Sequence, residues 1–328
     1  MNRTPLSFLM TLLLAGAMLP GCSRPQPDDA DATAGAGAAA APAPAAAGNA
    51  LPEGASGTSA DAFRFRIGAF DAVALKDGDV DAPNDGKTFA LGQPTEQVAA
   101  LLAAAGAPTD VLHLSIQPLL VRAGERVLLF DTGAGDVEWA RGGRLPASLH
   151  AAGVAPAQVT DIFISHRHQD HVGGLLAPDG ALAFPNATVH LSTAEWAGMQ
   201  ADTEAAALVA AIAPKVSAFE PGAELVPGTV TAVVDDGHTP GHSAYLVTSG
   251  ADRLLYLGDT AHHFVVSVQR PEWTVAYDID APLAQTRRRE LLQRAADANT
   301  RVYAVHFPFP GLGRFRTQGE SFAWSPER

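Results

Sequence analysis

Four short apolar runs in this chain each stop on a polar or charged residue. Val127-Leu-Leu-Phe130 runs into Asp131, Ile162-Phe-Ile164 into Ser165 and His166, Leu254-Leu-Tyr-Leu257 into Gly258 and Asp259, and Val302-Tyr-Ala-Val305 into His306. Short runs of this kind, rich in β-branched and aromatic side chains, predict buried strands. Between them lie stretches with helical spacing, notably 96–105 and 282–296, where Pro282 suits a first helical turn. Alternating strands and helices predict an α/β fold, and ligands in layered α/β folds gather at the carboxyl ends of the strands.

The pattern starts only after about sixty residues. Residues 1–21 carry Arg3 and then an apolar stretch too short to span a bilayer, which reads as an export signal. Leu19-Pro-Gly-Cys22 resembles a lipobox, so a lipid anchor at Cys22 is expected as the one membrane contact. Cys22 is also the sole cysteine, which excludes an intramolecular disulfide. Ser23 rather than Asp after the cysteine points to the outer membrane, with the protein facing the periplasm; were Pro20 to block acylation, it would be soluble periplasmic. Residues 22–60, mostly Ala, Pro, Gly, Ser and Asp, lack the apolar surface to fold and read as a tether. Residues 61–328 then suffice for one α/β domain. The net charge of −13 argues against nucleic acid and leaves a small molecule as partner. The oligomeric state stays open, a homodimer included.

The densest chemistry is Ser165-His-Arg-His-Gln-Asp-His-Val-Gly-Gly174. Three imidazoles and a carboxylate within six residues would repel or stay unsatisfied in a core unless something shares them. A metal centre does this, and N/O ligands without thiolate suit Zn²⁺ first, with Mn, Fe or Co also accommodated. Later come Gly237-His-Thr-Pro-Gly-His242, Asp259 and His306. No Gly-x-Ser-x-Gly elbow accompanies them, so a metal-activated water is the expected nucleophile.

On these motifs the chain resembles the metallo-β-lactamase superfamily over about residues 64–325, which implies an αββα four-layer sandwich. Phe70-Asp-Ala-Val-Ala-Leu-Lys-Asp-Gly78, Gly237-His-Thr-Pro-Gly-His-Ser243 and Phe307-Pro-Phe-Pro-Gly-Leu-Gly313 are similar to the branch of methyl parathion hydrolase, quorum-signal lactonases and aryl esterases. The resemblance implies two divalent metals. His166, His168 and His242 would hold one, Asp170, His171 and His306 the other, with Asp259 bridging. Asp170 and Asp259 would take the catalytic roles of orienting a bridging hydroxide and handling the leaving-group proton. Asp131, His238 and His263 are expected behind the ligands. The implied activity is hydrolysis of lactones or esters, with organophosphate triesters as a promiscuous or alternative substrate. A β-lactamase is disfavoured by Asp259, and a non-catalytic binding lipoprotein by the complete ligand set. The pocket wall is expected from Trp196, Phe264, Trp273, Phe307 and Phe309, and the segment 203–213 lacks aromatics.

Overall fold

Alternation with period two, rather than one-sided burial, organises most strands, because each sheet is covered on both faces. Leu120, Val127 and Leu129 point one way, while Leu119, Val121, Leu128 and Phe130 point the other, and all are buried. The computed structural model describes residues 61–327. The export signal, the lipobox and the tether lie outside these described residues.

The first sheet contains β1 (Ala62–Ile67), β2 (Phe70–Leu75), β3 (Leu119–Ala123), β4 (Arg126–Phe130), β5 (Asp161–Phe163), β6 (Thr188–Ser192) and β7 (Val216–Phe219), paired in that order. The second contains β8 (Glu224–Val226), β9 (Val230–Val234), β10 (Ser243–Ser249), β11 (Asp252–Tyr256), β12 (Arg301–Tyr303), β13 (Leu312–Gln318) and β14 (Ser321–Pro326), again in order. Neighbours are antiparallel except β4 to β7, which run parallel, and the pair β11–β12. Parallel neighbours bring successive carboxyl ends to one edge. The residues after β4, β5, β11 and β12 are the ones singled out above.

Seven α-helices accompany the two sheets among the described residues: α1 (Thr95–Ala104), α2 (Leu145–Ala152), α3 (Gln169–Val172), α4 (Thr193–Ala201), α5 (Ala206–Ile212), α6 (Val266–Gln269) and α7 (Ala281–Asp297). α2, α4 and α5 cover the outer face of the first sheet through Leu149, Met199 and Ile212. α7 covers the second through Leu291, Leu292 and Ala295. The sheets pack together on Phe130, Phe163, Tyr245, Tyr256 and Tyr303. The layers are therefore α/β/β/α, as expected. Asp280 caps α7 by accepting from the Leu283 N–H at 3.1 Å, with Pro282 in the first turn. A buried tyrosine needs a partner for its hydroxyl, and here the partners lead to the site. Tyr245 donates to the Ile164 carbonyl and Tyr256 to Asp131 at 2.7 Å. A smaller apolar cluster, with Phe89, Leu102, Leu114 and Trp273, joins α1 to the antiparallel strand pair Gly78–Pro83 and Val111–Ile116.

Candidate metal centre

Asp259 stands at the centre, 4 % exposed, with its two oxygens facing two groups of imidazoles. Its Oδ1 lies 2.9 Å from His306 Nε2 and 3.2 Å from His171 Nε2. Its Oδ2 lies 3.2 Å from His262 Nε2, 3.3 Å from His238 Nε2 and 3.7 Å from His166 Nε2. The ligand atoms form two clusters, His166, His168, His238 and Asp259 in one, Asp170, His171 and His306 in the other. Asp170 Oδ2 is 3.5 Å from His306 Nε2 and 3.6 Å from His171 Nε2.

Hydrogen bonding alone does not account for this packing. His166 Nε2, His168 Nδ1 and His238 Nε2 lie 2.8–3.2 Å from one another. Each ring nitrogen carries at most one proton, so three that converge on one point cannot all be satisfied by each other. His171 Nε2 and Asp259 Oδ1 are buried without a hydrogen bond. A cation in each cluster removes both conflicts, and the all-nitrogen-and-oxygen donor set suits a divalent metal. The residues fit the group.

Without a cation the clustered histidines divide in how they hold protons. Burial, with repulsion from His171, holds His166 well below the ordinary imidazole range. Burial and His238 lower His168 to about 4. Burial would depress His171, His306 and His238 as well, but the surrounding carboxylates together outweigh it: Asp259, Asp170 and Asp131 around His171, Asp259 and Asp170 around His306, and Asp259 and Asp278 around His238. His171 rises well above its usual value, His306 rises, and His238, also bonded to Asp278, reaches about 9. Burial opposes ionisation of Asp259, yet His171, His306 and His262 pull it far down.

The far sides of the rings are held in place. Asp131 sits at φ 55°, directly after β4, and accepts from His171 Nδ1 at 2.7 Å. It also takes the Ser165 N–H at 2.7 Å, the Ser165 hydroxyl and the Tyr256 hydroxyl. This places Asp131 directly behind the His171 ring. His306 Nδ1 donates to the Ser115 carbonyl at 2.8 Å. His238 Nδ1 donates to Asp278 Oδ1 at 2.9 Å, and Asp278 Oδ2 accepts from the buried Arg288 at 2.9 Å. Of the basic run 287–289, only Arg288 is buried in its ion pair; Arg287 pairs with Asp236 and Arg289 with Glu272 nearer the surface.

His242, rather than His238, was expected as a ligand; among the described residues it is His238 that joins the group of His166, His168 and Asp259. His242 Nε2 accepts the Asp259 N–H at 2.9 Å, and its Nδ1 faces the Asp235 carbonyl at 3.0 Å, so both nitrogens are already used. The two histidines are four residues apart on one turn, and spacing does not tell which faces the cluster. His263, expected behind the ligands, instead accepts the N–H groups of Val265 and Val266 at the start of α6, and burial lowers it to about 3. Its neighbour His262 lines the cavity.

The cavity above Asp259 measures about 350 Å³. Its floor is His168, Asp170, Asp259, His262 and His306; its wall is Val80, Ala82, Thr88, Phe89, Leu114, Trp139 and Tyr277. None of the five aromatics expected at the wall lines it. Trp196 packs under α4, Phe309 between the sheets, and Phe264, Phe307 and Trp273 in the outer clusters. The segment 203–213 is absent too: Leu208, Val209 and Ile212 pack on the outer face of the first sheet. Trp139 and Tyr277, each 55 % exposed, carried no periodic signal in the sequence. A larger cleft of about 780 Å³ runs along α7 and holds none of the clustered residues.

The family model for the metallo-beta-lactamase superfamily matches residues 112–306. The chain belongs to this superfamily. Among solved structures it is similar to AidC, described as a dizinc quorum-quenching lactonase in complex with a product, at 27% identity and a TM-score of 0.77, covering 82% of this chain and 98% of that one. It is also similar to the hydrolase AbOPH of the beta lactamase superfamily, at 28% identity and a TM-score of 0.75, covering 83% and 99%. A quorum-quenching N-acyl homoserine lactone lactonase shares the fold at 20% identity and a TM-score of 0.56, covering 76% of this chain and 100% of that one. No curated protein matches the chain in sequence. This member of the superfamily is a hydrolase by fold and site, and its His/Asp cluster is suited to divalent metals.

Proposed function

We propose that the enzyme hydrolyses lactones or aryl esters carrying an apolar group, using two divalent metals, zinc first among them. The observation that carries this reading is the division of the cavity into an ionisable floor and an uncharged, largely apolar wall. Two bound ions would supply Lewis acidity and a water of lowered pKa, near 7 rather than about 15.7. His166, His168 and His238 would hold one, and Asp170, His171 and His306 the other, with one oxygen of Asp259 on each side. Asp170 is half-buried at the cavity floor, where it can orient the attacking water and take up its proton. His262 lines the same space, its Nε2 3.2 Å from Asp259 Oδ2, and can contact a substrate oxygen there. Phe89, Trp139 and Tyr277 offer aromatic faces to an acyl chain or an aryl leaving group.

A panel assay on zinc- and manganese-loaded protein tests the substrate class. Acyl lactones and aryl esters should give higher kcat/KM than methyl parathion-type phosphotriesters, with no useful turnover of penicillins. Phosphotriesters leading by about tenfold, about 1.4 kcal/mol of transition-state binding, would reverse the assignment. Export as a lipoprotein is likewise our reading, and it rests on the motif at 19–22. Metabolic labelling with a fatty acid should be lost in Cys22→Ser; an unlabelled wild type would leave a freely soluble periplasmic enzyme.

A further inference from the structure

Glu195 is a fully buried carboxylate on α4 that belongs to neither cluster, yet it grips the loops that carry one of them. Its Oε2 accepts the backbone N–H of Arg167 at 3.0 Å, the peptide between His166 and His168. Its Oε1 accepts the backbone N–H of Gly241 at 2.8 Å, in the turn that begins at His238. The Arg167 guanidinium balances the charge at 3.2 Å. The surface of α4 is shaped for both loops. A Cβ at Gly198 would sit 2.6 Å from Arg167 Nη1, so this glycine makes room for the guanidinium against the helix. A Cβ at Gly241 would sit 2.7 Å from the Glu195 nitrogen, so the turn presses directly on the first turn of α4.

We infer that Glu195 is a positioning residue that sets the distance between the His166/His168 loop and the His238 turn, and so the affinity of that cluster for its metal. The inference rests on the two-metal reading above. The clusters differ in this respect: Asp170, His171 and His306 are braced by Asp131 and the Ser115 carbonyl and make no contact with Glu195. A carboxylate can accept from both peptides at once. An amide cannot, because its NH₂ would face an N–H donor. An aspartate is one methylene too short to span both loops.

The test is zinc release from the purified protein to a chromogenic chelator. Wild type should hold two zinc ions per chain. In Glu195→Gln one of the two should be released at chelator concentrations about tenfold to a hundredfold lower, with the second unchanged, and excess zinc should restore turnover. Arg167→Met, which leaves both peptide bonds to the carboxylate in place, should retain zinc within about twofold of wild type. Should Glu195→Gln fail to fold, Glu195→Asp is read by the same criterion. Wild-type release curves in the glutamate variants, or equal weakening of both ions, would overturn the inference even if the melting temperature fell. A wild type that binds no zinc would sink the two-metal reading itself, which is a separate result.

Discussion

The two ligand clusters share one carboxylate but hang from different parts of the molecule. The His171/His306 cluster is braced from between the sheets. Asp131 there collects the Ser165 N–H, the Ser165 hydroxyl, His171 and Tyr256, and the tyrosine is itself core. The His166/His168/His238 cluster reaches that network only through His166, whose Nδ1 lies 3.1 Å from the Ser165 hydroxyl; its other braces come from outside, Asp278 and Arg288 of the α7 region and Glu195 of α4. Interior bracing changes only if the sandwich changes; bracing by outer helices moves whenever those helices shift. The two halves of one site therefore have unequal mechanical support, and the outer-braced half should empty first.

The largest effect should come from the one residue common to both. Asp259→Ala should lower turnover by about a thousandfold or more, about 4 kcal/mol of transition-state stabilisation. It should also reduce metal content while leaving soluble protein, as read by steady-state kinetics and metal analysis. Near-wild-type turnover would rule out a shared carboxylate between two metals.

Next, His238→Ala should remove the ion of the outer-braced cluster, whereas His242→Ala should keep both. The second variant should mainly lose about 1–3 kcal/mol of stability, because it orphans the buried Asp259 N–H. Metal stoichiometry beside a thermal melt separates the two, and the reverse pattern would restore His242 as the ligand.

The smallest expected effects concern the braces. Asp131→Asn should weaken the inner-braced ion and Asp278→Asn the outer-braced one, each by about tenfold to a hundredfold in chelator competition. Asp278 adds a pH dependence in the metal-free protein. Burial would raise its carboxyl, but the hydrogen bond from His238 and the charge of Arg288 hold it at about 2. A depressed carboxyl stabilises the fold above its unfolded value near 3.8 and loses that contribution as pH falls toward 2. About 2 kcal/mol should disappear across that window, measured as denaturation midpoints from pH 5 to 2. The pH slope should flatten in Asp278→Asn.

Local sequence determined four of the central strands, the helices at 96–105 and 282–296 and the residue types of the site. Apolar runs ending in Asp131, His166, Asp259 and His306 could only be buried strands delivering polar residues to one edge, because period and run length encode burial directly. The crowding of His166, His168, Asp170 and His171 within six residues made a shared cation the simplest resolution, since that conflict is local. Three things depended on the tertiary structure. Which of His238 and His242 lies beside His166 and His168 turns on which side of one short turn packs against the Asp259 N–H. The role of His263 turns on where α6 begins. The cavity wall comes from Phe89, Trp139 and Tyr277, three positions far apart in sequence with no common period. Each of these is a question of which distant backbone arrives beside a side chain, and only the packing of the two sheets and their helices answers it.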